Sequence, residues 1–518
     1  MLYLAIIYHM HQPYYKNLLT NETEFPWVRL HGIKDYVDMV QMLDKYPAVR
    51  LNVNLVPSLM EQLDDYTAGT VRDRFLELSY KAAADLTDQE KDFIGESFFM
   101  INREKVIAYM PRYYELYLRR QARKRFSTQD YLDLQVWFNL AWFDPMFRDT
   151  IPALKKAVAK GRFFTEEEKH AVLDAQTEVL EETFPAYRKA IDQRQVEVTV
   201  SPYYHPILPL LYNSRVQMEA NPRSVLPPVN FSFPRDALAQ IDGGVRLYRD
   251  KFGCAPSGMW PSEMSVSEHI LPFIMGAGIR WIVTDEAILF RSMRSKTRNT
   301  RMLYQPHLLK REEGSLAVVF RDRNLSDLIG FNYYNWKPEE AAADLVKHLE
   351  NIAAAFKGND VLVTIAMDGE NAWEYFLNDG HDFLESWYGR LSDSKNIRTV
   401  RLCEYLQEHP PKHQIKRLAA GSWIYGEFSK WINNPYKNKG WEYLTEARSE
   451  LQGMIDRGDH IPEQAWKQMY ILEGSDWYWW LGEDYPGYFD RLFRMHLSNF
   501  YQIIGKKAPE YVKKPIIP

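Results

Sequence analysis

A chain of 518 residues with 64 Lys and Arg against 69 Asp and Glu, a net charge of −5 and 46% hydrophobic residues buries a large core, which excludes a disordered polymer. Its charges alternate without a long basic run, so neither a nucleic acid nor an anionic membrane surface is expected as a partner. No stretch approaches the roughly 18 uncharged apolar residues of a membrane span.

The first apolar run, MLYLAIIYHMHQP, has no basic segment and no small-residue cleavage site. It is read as a strand and not as a signal peptide, and the compartment expected is the cytoplasm. Further apolar, β-branched runs bounded by turn signals follow. Together they predict seven buried strands, at residues 2–8, 49–56, 196–201, 257–260, 280–284, 316–320 and 361–366. Helical patterns at 33–46, 267–276 and 338–356 separate several of them. Alternation of strand and helix implies a parallel α/β sheet or barrel. Between the second and third strands, residues 59–195 read as a helical insertion, with amphipathic spacing at 130–143 and 166–182. After Phe376 strand signals fade and helices dominate, for example at 438–457 and 485–502. The expected division is a barrel over residues 1–380 and a helical domain over 381–518. Cys254 and Cys403 are too few for a disulfide framework or a four-thiolate zinc site, and are expected as buried, reduced thiols.

Polar residues cluster where these strands end. In chain order they are His9 and His11, Asn52 and Asn54, Tyr203 to His205, Trp260 and Glu263, Asp285 and Glu286, Arg321 and Asp322, then Asp368, Glu370 and Asn371. A β/α barrel builds its site from the carboxyl ends of many strands, whereas an open sheet binds at one crevice, so a barrel is favoured. Phosphate-binding glycine loops and a Gly-x-Ser-x-Gly elbow are missing. His9-Met10-His11 has the spacing of two metal ligands, with His205 and Asp368 available to complete a set, which keeps a metal-dependent hydrolase open as an alternative. Carboxylate chemistry is the stronger reading. Glu263 beside Trp260 and Asp368 beside Trp373 put two carboxylates at one barrel mouth, the minimum equipment for cleaving a glycosidic bond. The 15 Trp, 33 Tyr and 26 Phe fill a core or stack on sugar rings.

At these positions the sequence resembles glycoside hydrolase family 57. His11-Gln12-Pro13 resembles its first signature region and Tyr203-Tyr204-His205-Pro206 its second. Gly258 to Glu263 resembles the third, Asp368-Gly369-Glu370-Asn371 the fourth, and residues 423–431 the fifth, aromatic one. The wording is closest to the amylopullulanase and α-amylase branch. The resemblance implies an incomplete (β/α)₇ barrel followed by helices, and a retaining enzyme on α-1,4-glucans that needs no metal or cofactor. Glu263 would be the nucleophile and Asp368 the acid/base, its pKa raised by the neighbouring Glu263 charge. His11, His205, Trp260, Asp285, Arg321, Asp322, Trp373, Trp423 and Trp431 would bind substrate, with Trp260 as a stacking wall and Glu427 in an outer subsite. A 4-α-glucanotransferase on the same scaffold is the alternative, and a non-catalytic glucan-binding protein a further one.

Overall fold

The computed structural model describes residues 1–483 and 487–517. All seven predicted strands form: β1 Leu2–Met10, β2 Leu51–Leu55, β3 Val196–Thr199, β4 Gly258–Met259, β5 Trp281–Asp285, β6 Gly314–Arg321 and β7 Val361–Asp368. β1 lies between β7 and β2, β2 pairs with β3, and β5 lies between β4 and β6, every ladder parallel. A parallel bridge from Val200 to Met259 joins the two halves. β6 and β7 share no ladder; Asp322 N–H reaches Thr364 O at 2.8 Å and Arg321 Nε donates to Ala366 O at 2.8 Å. The ring therefore runs through seven strands and stays unzipped at one seam, an incomplete (β/α)₇ barrel.

Alternate residues of each strand face the lumen. Ala5, Ile7, Trp281, Val283, Ala317, Val319, Leu362 and Ala366 pack there with Trp260 above, and Val400, Leu402 and Tyr405 complete the cluster. Gly258 is obligatory, because a Cβ there would stand 2.1 Å from the Trp281 ring. The opposite faces join the outer core under the helices.

Several short strands escaped the sequence. Ile397–Thr399 pairs in parallel with Leu2–Leu4 of β1, although helices were expected to dominate after Phe376. Three residues are too short to show an alternating pattern. Asn52, placed among the site residues by its strand-end position, is a splice where β2 and this strand meet. Its Nδ2 donates to Ile6 O and Val400 O, and its Oδ1 accepts Leu402 N–H at 2.8 Å. A second unpredicted strand, His307–Arg311, makes an antiparallel hairpin with β6.

The insertion folds as expected into helices, including Thr128–Leu140 and Glu166–Glu181, each opened by a capping box (Ser127 with Asp130, Thr165 with Glu168). The carboxyl-terminal helices are Pro435–Arg457, Glu463–Leu472, Ser475–Trp480 and Tyr488–Ile503. Tyr485, where the last was expected to start, lies outside the described residues. Cys254 is exposed, not buried, because it follows the left-handed Gly253 that ends a surface helix; Cys403 is half-buried.

Candidate active site

His9 continues the lumen-facing row of Ala5 and Ile7, in register with Asp368 on one side and Asn54 on the other. Asn54 Nδ2 donates to Thr199 O at 3.2 Å, which turns its Oδ1 toward His9 Nδ1 at 2.7 Å. That oxygen accepts, so Nδ1 carries the proton of the His9 ring. Four rings then cluster: Trp260 stacks on His9 (4.7 Å, 4°), and His9, His205 and His11 form a triangle with centroids 4.9, 4.0 and 5.8 Å apart. Burial lowers the pKa of His9 to about 3 and takes His205 well below its ordinary value, so both are neutral. His11 Nε2 meets Asp476 Oδ1 at 2.8 Å, and His205 Nδ1 meets Ser475 Oγ at 3.1 Å.

His11, His205 and Asp476 bring ligand-type atoms within 4.8 Å of one another. Their geometry disfavours one shared cation. The two imidazoles lie face over face, so their in-plane lone pairs run in separate layers instead of converging on a point about 2.0–2.1 Å from each. His11 lines the cavity at the barrel mouth, whereas His205 is 0% exposed and packs against the His11 ring.

Glu263 follows β4 in a tight turn at φ 56°, ψ 27°, and Met264 after it is also left-handed. Such backbone in a non-glycine residue costs about 1–3 kcal/mol and persists where surrounding structure imposes it. What imposes it here is the segment carrying Trp423, whose Nε1 donates to Glu263 Oε2 at 2.7 Å and whose backbone N–H reaches Glu263 O at 3.3 Å. Glu263 Oε1 stands 4.0 Å from His205 Nδ1. Burial, then the charge of Asp368, raises the Glu263 pKa to about 8. Burial raises Asp368 to about 6, opposed by His11, the Asn371 side chain and Arg321. The sequence led us to expect the charge of Glu263 to lift Asp368; burial does so instead, and the charge acts in the other direction. With one proton between them, the free site keeps it on Glu263. Glu370, two residues beyond Asp368, is bound to the backbone, its Oε1 accepting from His11 N–H at 3.0 Å and from Gln12 Nε2 at 3.4 Å.

Glu263, Asp368, His11, His9 and Trp423 line one cavity of about 320 Å³. Asp476, Trp479, Trp480 and Phe489 line it too, all from the carboxyl-terminal helices. The sequence had no signal for Asp476 as the partner of His11. Arg321 borders the neighbouring cavity, 5.3 Å over the Trp423 ring. The other expected substrate ligands sit elsewhere. Trp260 is 0% exposed beneath His9, with no face left for a sugar. Trp373 is buried, its Nε1 bonded to Gly369 O at 2.8 Å and its ring packed on Phe376. Trp431 is buried against Trp479. Asp285 caps the helix Glu286–Ser292 and pairs with Arg321 and Arg323. Asp322 caps Arg323–Asp327 and accepts from Tyr304 and Arg298 at 2.8 Å each. These five are consumed by internal partners that the sequence could not reveal.

A parallel barrel whose mouth carries two carboxyls on one cavity is the architecture of a glycoside hydrolase. The family model for glycosyl hydrolase family 57 matches residues 5–417, and the chain belongs to that family. Alpha-amylase 1 of Dictyoglomus thermophilum is 26% identical over 278 residues, 52% of this chain and 35% of that protein. An alpha-amylase of Pyrococcus abyssi is 24% identical over 291 residues, 54% and 38% of the two chains. The chain thus spans little more than a third of the length of these curated relatives. In three dimensions it is similar to the branching enzyme of Thermococcus kodakaraensis (TM-score 0.64, 18% identity, 99% and 91% of the two chains). It is also similar to the 4-alpha-glucanotransferase of Thermococcus litoralis (TM-score 0.55, 14% identity, 97% and 60%).

Proposed function

We propose that the protein is a retaining enzyme that cleaves α-1,4-glucosidic bonds of glycogen, starch or maltodextrins. The observation that carries this reading is the pair Glu263 and Asp368 on one cavity lined also by Trp479, Trp480, His9 and His11. In the first step the Glu263 carboxylate attacks the anomeric carbon, the bond to the glycosidic oxygen breaks, and that oxygen takes the Asp368 proton. In the second, water attacks the same carbon, gives its proton to Asp368, and Glu263 leaves as a carboxylate. Trp423 holds one Glu263 oxygen and leaves the other for the attack, while His11 and Asp476 bond the hydroxyls of the reacting sugar and His205, buried against His11, keeps that ring in place. The chemistry calls on no cofactor.

The alpha-amylase names of the relatives and the family assignment support the substrate class. No helix among the described residues is long and apolar enough to cross a membrane. Two unpaired cysteines suit a reducing compartment, and we place the enzyme in the cytoplasm. We also divide the chain into the barrel with its insertion over residues 1–380 and the helical domain over 381–518, the latter supplying one wall of the site. Incubation of wild type and Glu263→Gln with maltoheptaose, read by chromatography, tests the reading. Wild type should consume the sugar and Glu263→Gln should not; turnover by the variant would remove Glu263 from its role.

A further inference from the structure

A second cavity, of about 270 Å³, opens beside the first and shares Asp368, Asn371 and Trp423 with it. Glu263, His9 and His11 line only the first. On the proposed reading this asymmetry gives the cleft a direction. A retaining nucleophile lies under the anomeric carbon of the sugar being transferred, whereas the acid/base must reach the oxygen linking that sugar to its leaving group. A cavity that borders the acid/base but not the nucleophile therefore lies on the leaving-group side.

Its walls are unusual for a water-facing surface. Phe331 is 70% exposed on the turn Leu328–Asn332, and Tyr375 is 54% exposed on the turn that follows β7. Tyr334 completes the set, its ring 5.8 Å from that of Tyr375. Apolar side chains left this open in a group mark a surface that something else covers. Both turns are braced from behind by the helical insertion: Lys105 Nζ donates to Tyr334 O at 3.1 Å and Asn102 Nδ2 to Glu374 O at 2.9 Å. Ring faces beside the Arg321 guanidinium and the Asn371 amide match a glucose unit, apolar on its C–H faces and polar at its rim.

We infer that Phe331, Tyr334 and Tyr375 form the subsite that holds the leaving side of the α-glucan and, after it departs, an incoming sugar acceptor. The same contacts serve both, because transfer is the reverse of cleavage with a different chain. The acceptor hydroxyl gives its proton to Asp368, its oxygen bonds to the anomeric carbon, and the bond to Glu263 breaks. The subsite thus favours transfer over hydrolysis, and the inference rests on the retaining reading above.

The test is a partition experiment. α-Maltosyl fluoride loads the enzyme with a leaving group that needs no sugar subsite, and added maltotriose competes with water for the glycosyl-enzyme. Pentasaccharide formed per fluoride released reports the partition, whatever the loading rate. Wild type should form pentasaccharide, and Phe331→Ala with Tyr375→Ala should lower that ratio about tenfold. An unchanged ratio in the double variant overturns the subsite. Phe331→Ala alone, at a position that contributes little to the core, decides the matter where the double variant does not fold: its ratio should fall severalfold, and an unchanged ratio overturns the subsite. A wild type that neither releases fluoride nor cleaves maltoheptaose overturns the underlying reading instead.

Discussion

Trp423→Phe removes the indole N–H that Glu263 accepts and should change the pH profile of the site in an unusual way. The indole N–H stands 2.7 Å from Glu263 Oε2, and a hydrogen bond to a charged group is worth about 1.5–3 kcal/mol. Phe keeps the edge contact with Trp260 (5.4 Å, 89°) and the backbone bond to Glu263 O, so the loop should keep its place. Without that donor the ionised form of Glu263 loses its partner. Its pKa, about 8, should rise by about one to two, since one pH unit corresponds to about 1.4 kcal/mol. Productive enzyme has Glu263 ionised and Asp368 protonated, the reverse of the favoured arrangement. Because the charge of Asp368 is one cause of the raised Glu263 pKa, that form is a minority of the singly protonated site. In the variant it should fall a further 10- to 100-fold, roughly, while the singly protonated site persists to higher pH. The assay is kcat/KM on maltoheptaose from pH 4 to 11. The plateau should drop and the alkaline limb should move up from about 8, the acid limb staying near 6. A lower plateau with the alkaline limb fixed, or moved down, would refute the reasoning.

Two other perturbations separate chemistry from packing. Asp368→Ala should lose roughly 10²–10⁴-fold on maltoheptaose, whose leaving alkoxide needs a proton, and much less in the first step on an aryl α-maltoside; azide should restore turnover as the α-glycosyl azide. Equal losses on both substrates, with no response to azide, would transfer the role to Glu370. Trp260→Ala should cost about 3–5 kcal/mol in denaturant melts, because the ring fills the barrel beneath His9; a variant of unchanged stability would return Trp260 to the substrate.

The barrel was legible because parallel strands covered on both faces show as uninterrupted apolar runs. Ile397–Thr399 was not, since three residues beside a helix carry no period; its ladder with β1 and the splice through Asn52 fix where it docks. Position at a strand end singled out Glu263, Asp368 and His11, which line one cavity. The same rule also nominated Asp285 and Asp322, because a residue closing a strand stands equally well to cap the next helix. Trp260, Trp373 and Trp431 illustrate a second limit: an indole beside polar residues reads alike whether it faces a sugar or packs under a histidine. Asp476 was out of reach for another reason. It lies 465 positions from His11, and nothing in either neighbourhood announces the pairing. The order of the two carboxyl pKa values also needed coordinates, since it depends on how deeply each group is buried.

The division of labour between Glu263 and Asp368 is tested most directly by trapping the covalent intermediate. In Asp368→Ala loaded with α-maltosyl fluoride, formation of the glycosyl-enzyme needs no acid while its hydrolysis lacks a base, so it should accumulate. Intact-mass spectrometry should show one maltosyl group per chain, and peptide mapping should place it on Glu263. A label on Glu370 or any other residue, or no label while fluoride is still released, would contradict the assignment.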